Sequence, residues 1–262
     1  MHKIVTVYDR SSLFPLYVYP GTGDTISRDQ RIEEAVKAAV RSGLGAAAQE
    51  RLRLAVKELF PNAEYPRWPN LAPLLLADLQ QRLGLRFLPD GQGDLADTFG
   101  PEDVFAYIYA VLHCPTYRTR YAEFLKRDFP RIPFTSSRDL FAALVAKGRD
   151  LIALHLMESP LLNTLFASFP ERGSDTVERV TYNANERRVY INRTQYFDRV
   201  PKEVWEFHVG GYQVSDKWLK DRKGRKLDNN DLQHYQKIVV ALRETIRLMS
   251  EIDALIPEWP LT

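Results

Sequence analysis

The period of the apolar positions changes several times along the chain, and each change marks a predicted element. Lys3 to Tyr8 (KIVTVY) and Leu13 to Tyr19 (LFPLYVY) are rich in β-branched and aromatic residues on either side of Asp9-Arg10-Ser11-Ser12, which predicts two strands and a turn. From Ser27 to about Phe60 the chain changes to Ala, Glu, Arg, Gln and Leu at helical spacing, interrupted at Ser42-Gly43 and Gly45. Two amphipathic helices, forming an insertion over 21–70, are expected there. After a proline-punctuated loop, Leu74, Leu75, Leu76, Leu79 and Leu83 recur at helical spacing until Gly84.

Residues 89–100 read as a Gly/Asp-rich connection, and Pro101 then stands where a first-turn proline belongs, with Glu102 and Asp103 beside the positive end of the helix. Pro115 stops that helix and begins another, predicted to run to about Asp128. Residues 138–158 carry a strong 3.6-residue period and predict a core helix. Strand chemistry follows, with Val177 to Tyr182 and Arg188 to Asn192 alternating around Asn183-Ala184-Asn185-Glu186 as a hairpin. Trp205 to Val209 reads as a further strand, Gly210-Gly211 as a tight turn and Asp216 to Asp221 as a short helix. A long helix runs from Asp228 to about Ile256, with Asp or Asn as its cap and Pro257 as its stop. A strand-poor middle between β-rich ends predicts an α+β fold: helices and a β-hairpin with a long carboxy-terminal helix.

With 262 residues, 45% of them hydrophobic, the chain can bury one large domain or a domain with an appended subdomain. Its 36 Lys and Arg against 34 Asp and Glu leave a formal charge of +2, so any basic surface must come from uneven placement. The single cysteine, Cys114, excludes an internal disulfide framework and a cysteine-rich zinc site, and points to a reducing compartment. No signal-peptide pattern starts the chain, and no apolar run approaches the roughly 18 residues a membrane span needs. A cytoplasmic protein is expected, with no membrane partner.

Two long segments, Tyr107 to Pro133 (YIYAVLHCPTYRTRYAEFLKRDFPRIP) and Val204 to Asp253, which contains WEFHVGGYQVSDKWLKDRKGRKL and HYQKIVVALRETIRLMSEID, interleave aromatic, glycine and basic residues at offsets that periodicity alone does not generate. With INRTQYF at Ile191 to Phe197, FPLYVYP at Phe14 to Pro20 and FLPDGQGDLADTFGPEDVF, they resemble, in order, the carboxy-terminal specificity region of Type ISP restriction-modification enzymes. The resemblance covers most of the chain and is weakest over 21–70. It implies a module that binds a short asymmetric sequence in double-stranded DNA, within a polypeptide that also carries a nuclease, a helicase-like ATPase and an N6-adenine methyltransferase. Here no [DNS]-Pro-Pro-aromatic tetrapeptide and no Gly-x-x-x-x-Gly-Lys-[Ser/Thr] phosphate loop is present. The chain is therefore expected to be an excised fragment or a stand-alone relative that catalyses nothing alone. It would use no cofactor itself: S-adenosylmethionine, ATP and magnesium would belong to the missing domains, and an adenine methyltransferase domain in cis or in trans would be its partner.

Four groups of residues are candidates for contacting DNA. Lys217, Lys220, Arg222, Lys223, Arg225 and Lys226 are opposed within their span only by Asp216 and Asp221, and they surround Gly224. Such a run reaches a phosphate backbone or is a solvated face. In the hairpin, Arg188, Arg193 and Gln195 match guanine and adenine edges, although a polar hairpin is also ordinary surface. Gln213 follows Gly210-Gly211 at a strand end, where the glycines serve a tight turn or a close approach, with Trp205 and Trp218 as core anchors. Arg118 and Arg120 lie on a predicted helix whose Tyr117, Tyr121 and Phe124 fall near one inward face.

Catalytic patterns are weaker. His113 and Cys114 are adjacent on a helix and so point about 100° apart, without an orienting partner. Gly21-Thr22-Gly23 and Gly91-Gln92-Gly93 lack the surroundings of a nucleotide site, and the five histidines show no metal-ligand spacing. Three functions remain to be separated. DNA recognition predicts salt-dependent binding; a docking module using the long helix and the helical insertion predicts a protein complex indifferent to DNA; a small-molecule enzyme predicts a deep pocket with clustered titratable groups.

Overall fold

The computed structural model describes residues 15–20 and 25–261. The strand expected at Lys3 to Tyr8, its turn and Gly21-Thr22-Gly23 lie outside them. The fold is α+β, with helices, small sheets and a long carboxy-terminal helix, and its described residues divide into two compact units: 15–20 and 25–149 with 252–261, and 150–251.

The first unit contains β1 (Tyr17–Val18), β2 (Ile26–Ser27), α1 (Arg28–Arg41), α2 (Ala46–Leu59), β3 (Glu64–Tyr65), β4 (Trp68–Pro69), α3 (Pro73–Leu83), β5 (Arg86–Phe87), β6 (Thr98–Phe99), α4 (Pro101–His113), α5 (Pro115–Arg120), α6 (Ala122–Leu125) and most of α7 (Arg138–His155). Strands β1 and β4 pair antiparallel, as do β2 and β3, whereas β5 and β6 are parallel. The expected helical pair is α1 and α2, with Gly43 at φ +78° in the turn between them. Gly84, at φ +62°, ends α3 in the left-handed conformation that glycine adopts without a Cβ clash. A chain of aromatic contacts forms the core: Trp68 stacks on Phe60 at 3.9 Å, and Phe60, Phe87, Phe99, Phe141, Tyr107 and Phe134 follow in successive contact.

The connection before α4 is held by two carboxylates. Asp94 Oδ1 accepts the backbone N–H groups of Ala96, Asp97 and Thr98 and the Thr98 hydroxyl, which holds its carboxyl down at about 2. Asp103, wholly buried, accepts the N–H groups of Gly93 and Gly100 at 2.7 and 2.8 Å and pairs with Arg149. A Cβ on Gly93 would come within 2.3 Å of the Thr98 carbonyl oxygen, so this glycine, read from sequence as part of an isolated turn, is a point of close backbone approach.

The helix expected from Pro115 to Asp128 is broken. Tyr121 leaves helical geometry at φ −105° and ψ 17°, dividing it into α5 and α6. The rings of Tyr117 and Tyr121 pack on Trp259 at 5.6 and 6.2 Å, and Tyr117 is buried. Phe124 does not face inward as its spacing suggested: after the break it is 73% exposed.

The second unit continues from α7 with the antiparallel sheet β7 (Thr181–Asn183), β8 (Arg188–Tyr190) and β9 (Tyr196–Phe197), then α8 (Lys202–Trp205), the hairpin β10 (His208–Val209) and β11 (Tyr212–Gln213), α9 (Val214–Lys220) and α10 (Asn229–Leu255), whose end belongs to the first unit. Its core gathers Val177, Val189, Ile191, Phe197, Val204, Leu219, Leu227, Tyr235, Val239 and Leu242. Asp228 caps α10 by accepting the Asp231 N–H at 2.8 Å. The strand expected over Trp205 to Val209 is only its last two residues. Pro201 begins a helical turn in which Trp205 N–H bonds the Pro201 carbonyl at 3.0 Å; Val204 is buried on one side of this turn, and Trp205 and Phe207, two of the residues that suggested a strand, pack partly buried against the same core.

Candidate nucleic-acid interface

Three segments of the second unit lie side by side through backbone hydrogen bonds. The loop after α9 runs antiparallel to residues 175–177: Gly224 N–H bonds Val177 O at 2.7 Å, Val177 N–H bonds Arg225 O at 3.0 Å, and Leu227 N–H bonds Asp175 O at 2.8 Å. On the other side, the N–H groups of Glu178 and Arg179 share the Ile191 carbonyl at 2.8 and 3.1 Å, and Asn192 Nδ2 donates to Thr176 O at 3.1 Å. Val177, Ile191 and Leu227 anchor all three segments in the core. This layer joins the basic loop to the region of the hairpin, which are far apart in sequence.

Gln195 organises the layer from below and is not available to a base edge. It is wholly buried; its Oε1 accepts the Asp175 N–H at 2.8 Å and Asn192 Nδ2 at 2.9 Å, and its Nε2 donates to Glu171 O at 3.1 Å and Asp175 Oδ1 at 2.7 Å. An amide has two donor hydrogens and two acceptor sites to offer, and all are engaged.

The six basic residues of the loop divide into two sets. Lys217 pairs with Asp221, and Lys220 pairs with Asp216 at 2.6 Å. Arg222 lies 3.5 Å over the Trp218 ring, donates to the Trp218 carbonyl at 3.1 Å and approaches Asp231 at 3.4 Å. Lys223, Arg225 and Lys226 are exposed and make no ion pair among the described residues. Gly224, at φ +79° with open space around it, leaves them on a permissive turn.

The hairpin divides similarly. Arg188 is held by Asp198 at 3.0 Å and Glu186 at 3.5 Å and stacks 4.2 Å over Tyr196. Arg193 is exposed and lines a shallow cleft of about 350 Å³ with Glu178, Arg179, Thr181, Tyr190 and Asn192. Arg179 lay in the predicted strand Val177 to Tyr182 but was not singled out as a contact; the pairing of 178–179 with Ile191 brings it to the same cleft as Arg193.

The sequence profile of the Type ISP C-terminal specificity domain matches residues 1–251. The chain belongs to this family of specificity domains. No curated protein matches it. Among solved structures, the cryo-EM structure of the DrdV–DNA complex is similar at 21% identity and TM-score 0.52, covering 73% of this chain and 20% of that one. A nuclease-deletion mutant of the Type ISP restriction-modification enzyme LlaGI, in complex with a DNA substrate mimic, is 23% identical over 64% of this chain and 17% of that one, at TM-score 0.47. The ATP-dependent Type ISP enzyme LlaBIII bound to DNA is 16% identical over 78% and 13%, at TM-score 0.49. The specificity domain thus spans a fifth or less of the length of these structures.

The remaining candidates of the specificity domain are dispersed. Gln213 is half-buried, its Nε2 donating to the Trp205 carbonyl, while Trp205 stacks on Tyr182 at 5.2 Å and Trp218 lies 5.4 Å from Tyr235. Arg118 and Arg120 are exposed on α5, in the other compact unit. Cys114 is buried and its thiol donates to Asp253 at 2.9 Å; burial, and then the hydrogen bond to that carboxylate, push it up to about 12, so it carries almost no thiolate at neutral pH. Among the described residues no group of three His, Cys, Asp or Glu side chains is placed to hold a metal, and no helix is long and apolar enough to cross a membrane.

Proposed function

We propose that the chain recognises a specific sequence in duplex DNA and presents that DNA to an adjoining N6-adenine methyltransferase, catalysing nothing itself. One observation carries the reading: the three-segment layer exposes Lys223, Arg225 and Lys226, with no acid neutralising them among the described residues, on the same backbone ladder as the Arg179–Arg193 cleft. Exposed cations supply the salt-sensitive phosphate contacts that fix register, and a cleft beside them is suited to sequence discrimination. Membership in the specificity-domain family and the likeness of fold to DrdV, solved with DNA, support it. The isolated chain would bind weakly, because recognition must also cover distortion of the DNA by the rest of the enzyme. It would bind no S-adenosylmethionine.

A fluorescence titration of the chain with duplex DNA at low and moderate salt tests the reading. Steeply salt-dependent binding is expected, and calorimetry with S-adenosylmethionine should give no heat of binding. Absence of DNA binding at low salt would overturn it.

The alternative, protein docking through the long helix and the helical insertion, meets a physical difficulty. Helix α10 buries Tyr235, Ile238, Val239 and Leu242 in its own unit, and α2 buries Leu52, Ala55, Val56 and Leu59. The insertion exposes Val40 and Leu54 singly, and the larger exposed rings are Phe124 and Phe129, beside a cleft of about 410 Å³ lined by Tyr117, Tyr121 and Pro130. A stable protein complex lost on substitution of those two phenylalanines would favour docking.

A further inference from the structure

The cleft holding Arg179 and Arg193 differs from the basic loop beside it in two ways that bear on what it contacts. The first is the packing around its backbone. Arg193 sits in a turn closed from both sides: Asn192 Oδ1 accepts the N–H groups of Thr194 and Gln195 at 3.0 and 2.8 Å, and Ile191 N–H bonds the Gln195 carbonyl at 3.0 Å. The backbone of Arg179 is tied to the same Ile191 at 3.1 Å. Both arginines therefore project from one buried frame, whereas Lys223, Arg225 and Lys226 flank Gly224, which the ladder ties to Val177 O at 2.7 Å but which has open space where a Cβ would stand. A bidentate contact needs a fixed root because its worth depends on two hydrogen bonds aligning together.

The second difference is chemical. Glu178 lines the cleft with the two arginines and, like them, forms no ion pair among the described residues. A carboxylate opposes a phosphate, so its presence argues against a backbone contact. At a base edge in the major groove it has a partner: cytosine N4 is a donor, and guanine O6 and N7 are acceptors for a guanidinium. Arg188, another hairpin arginine, is already engaged by Asp198, Glu186 and the Tyr196 ring.

We propose that this cleft reads a G·C pair in the major groove, with Arg179 and Arg193 donating to guanine O6 and N7 and Glu178 accepting from cytosine N4. The inference rests on the DNA-recognition reading and adds the specificity-determining residues and the base pair they select.

The test begins with the full chain and a pool of duplexes carrying a randomised segment, from which a preferred site is selected. That site, its single-pair substitutions and a random duplex are then titrated with the wild type, Arg179→Ala, Arg193→Ala, Arg193→Lys and Glu178→Gln, with thermal unfolding checking that each variant folds. Each alanine variant should lose about 5- to 150-fold on the selected site, erase the preference for one G·C pair and bind random duplex within a few-fold of wild type. Arg193→Lys should keep general affinity but not the preference, because an ammonium lacks the planar fork. Glu178→Gln should relax the same position. Equal losses on specific and random DNA, a preference restored by lysine or a preference kept by the alanine variants would overturn the assignment of the cleft. A wild type that selects no sequence at all would instead defeat the DNA-recognition reading, and this inference with it.

Discussion

Replacing Lys223, Arg225 and Lys226 together by alanine isolates the loop's contribution to phosphate binding, because these are the members of the cluster that no acid engages among the described residues. If each neutralises one phosphate, the slope of log affinity against log salt should flatten by up to 0.9 for each charge, or about 2.7 in all. Over a rise from about 50 to 200 mM salt, that amounts to a change of about 40-fold in the ratio of wild-type to variant affinity. The loss should be equal for specific and random duplexes. Lys217→Ala with Lys220→Ala is the internal comparison: those ammonium groups are paired with Asp221 and Asp216, so removing them frees no cation from DNA but leaves two unpaired carboxylates, which makes a different prediction. General affinity should fall through repulsion by the freed carboxylates, with a smaller change in slope than the triple variant shows. Fluorescence anisotropy at several salt concentrations measures both slopes, and thermal unfolding should be near that of wild type for each variant, since exposed pairs contribute less than about 1 kcal/mol. A triple variant with the wild-type slope, or a double variant that flattens it as much, would refute the division of the cluster and move the phosphate contacts elsewhere.

Gln195→Met keeps much of the side-chain volume but removes four hydrogen bonds, leaving the Asp175 N–H without an acceptor and Asn192 Nδ2 with Thr176 O alone; at about 1–3 kcal/mol for each lost partner, urea unfolding followed by tryptophan fluorescence should show a loss of about 2–5 kcal/mol. A loss under about 1 kcal/mol would show that the amide does not hold the layer together. Gly148→Ala places a Cβ 1.9 Å from the Ala106 carbonyl oxygen, backbone against backbone, and should cost about 3 kcal/mol or more in the same measurement, with insoluble protein as the extreme outcome and unchanged stability as the contrary one. Cys114, its thiol pushed up to about 12, should resist a thiol reagent at neutral and mildly alkaline pH until denaturant exposes it; prompt labelling of the native chain would contradict its burial.

Local chemistry made much of this protein legible without tertiary information. The paired helices α1 and α2, the end of α3 at Gly84, the start of α4 at Pro101 and the cap of α10 at Asp228 each rest on residues a few positions apart, so a short stretch of sequence contains the whole interaction. The family, too, was readable, because its interleaved aromatic, glycine and basic residues occur in linear order. Even the pairs Lys217–Asp221 and Asp216–Lys220 stand at the i,i+4 spacing of a helix and could have been read from it. What remained hidden depends on partners distant in sequence. Gln195 looked like a base-reading side chain because its four hydrogen-bond partners could not be assigned before the loop at 171–175 folded over it. Arg179 lay in a predicted strand with nothing to mark it as a contact, and the junction of the 175–179, 191–195 and 223–227 segments exists only as a set of bonds between them. Sequence thus determined which residues carry charge and which segments coil or extend, whereas the tertiary structure decided which charges are neutralised and which face solvent together, because burial and pairing are properties of the neighbours that the folded chain brings into contact.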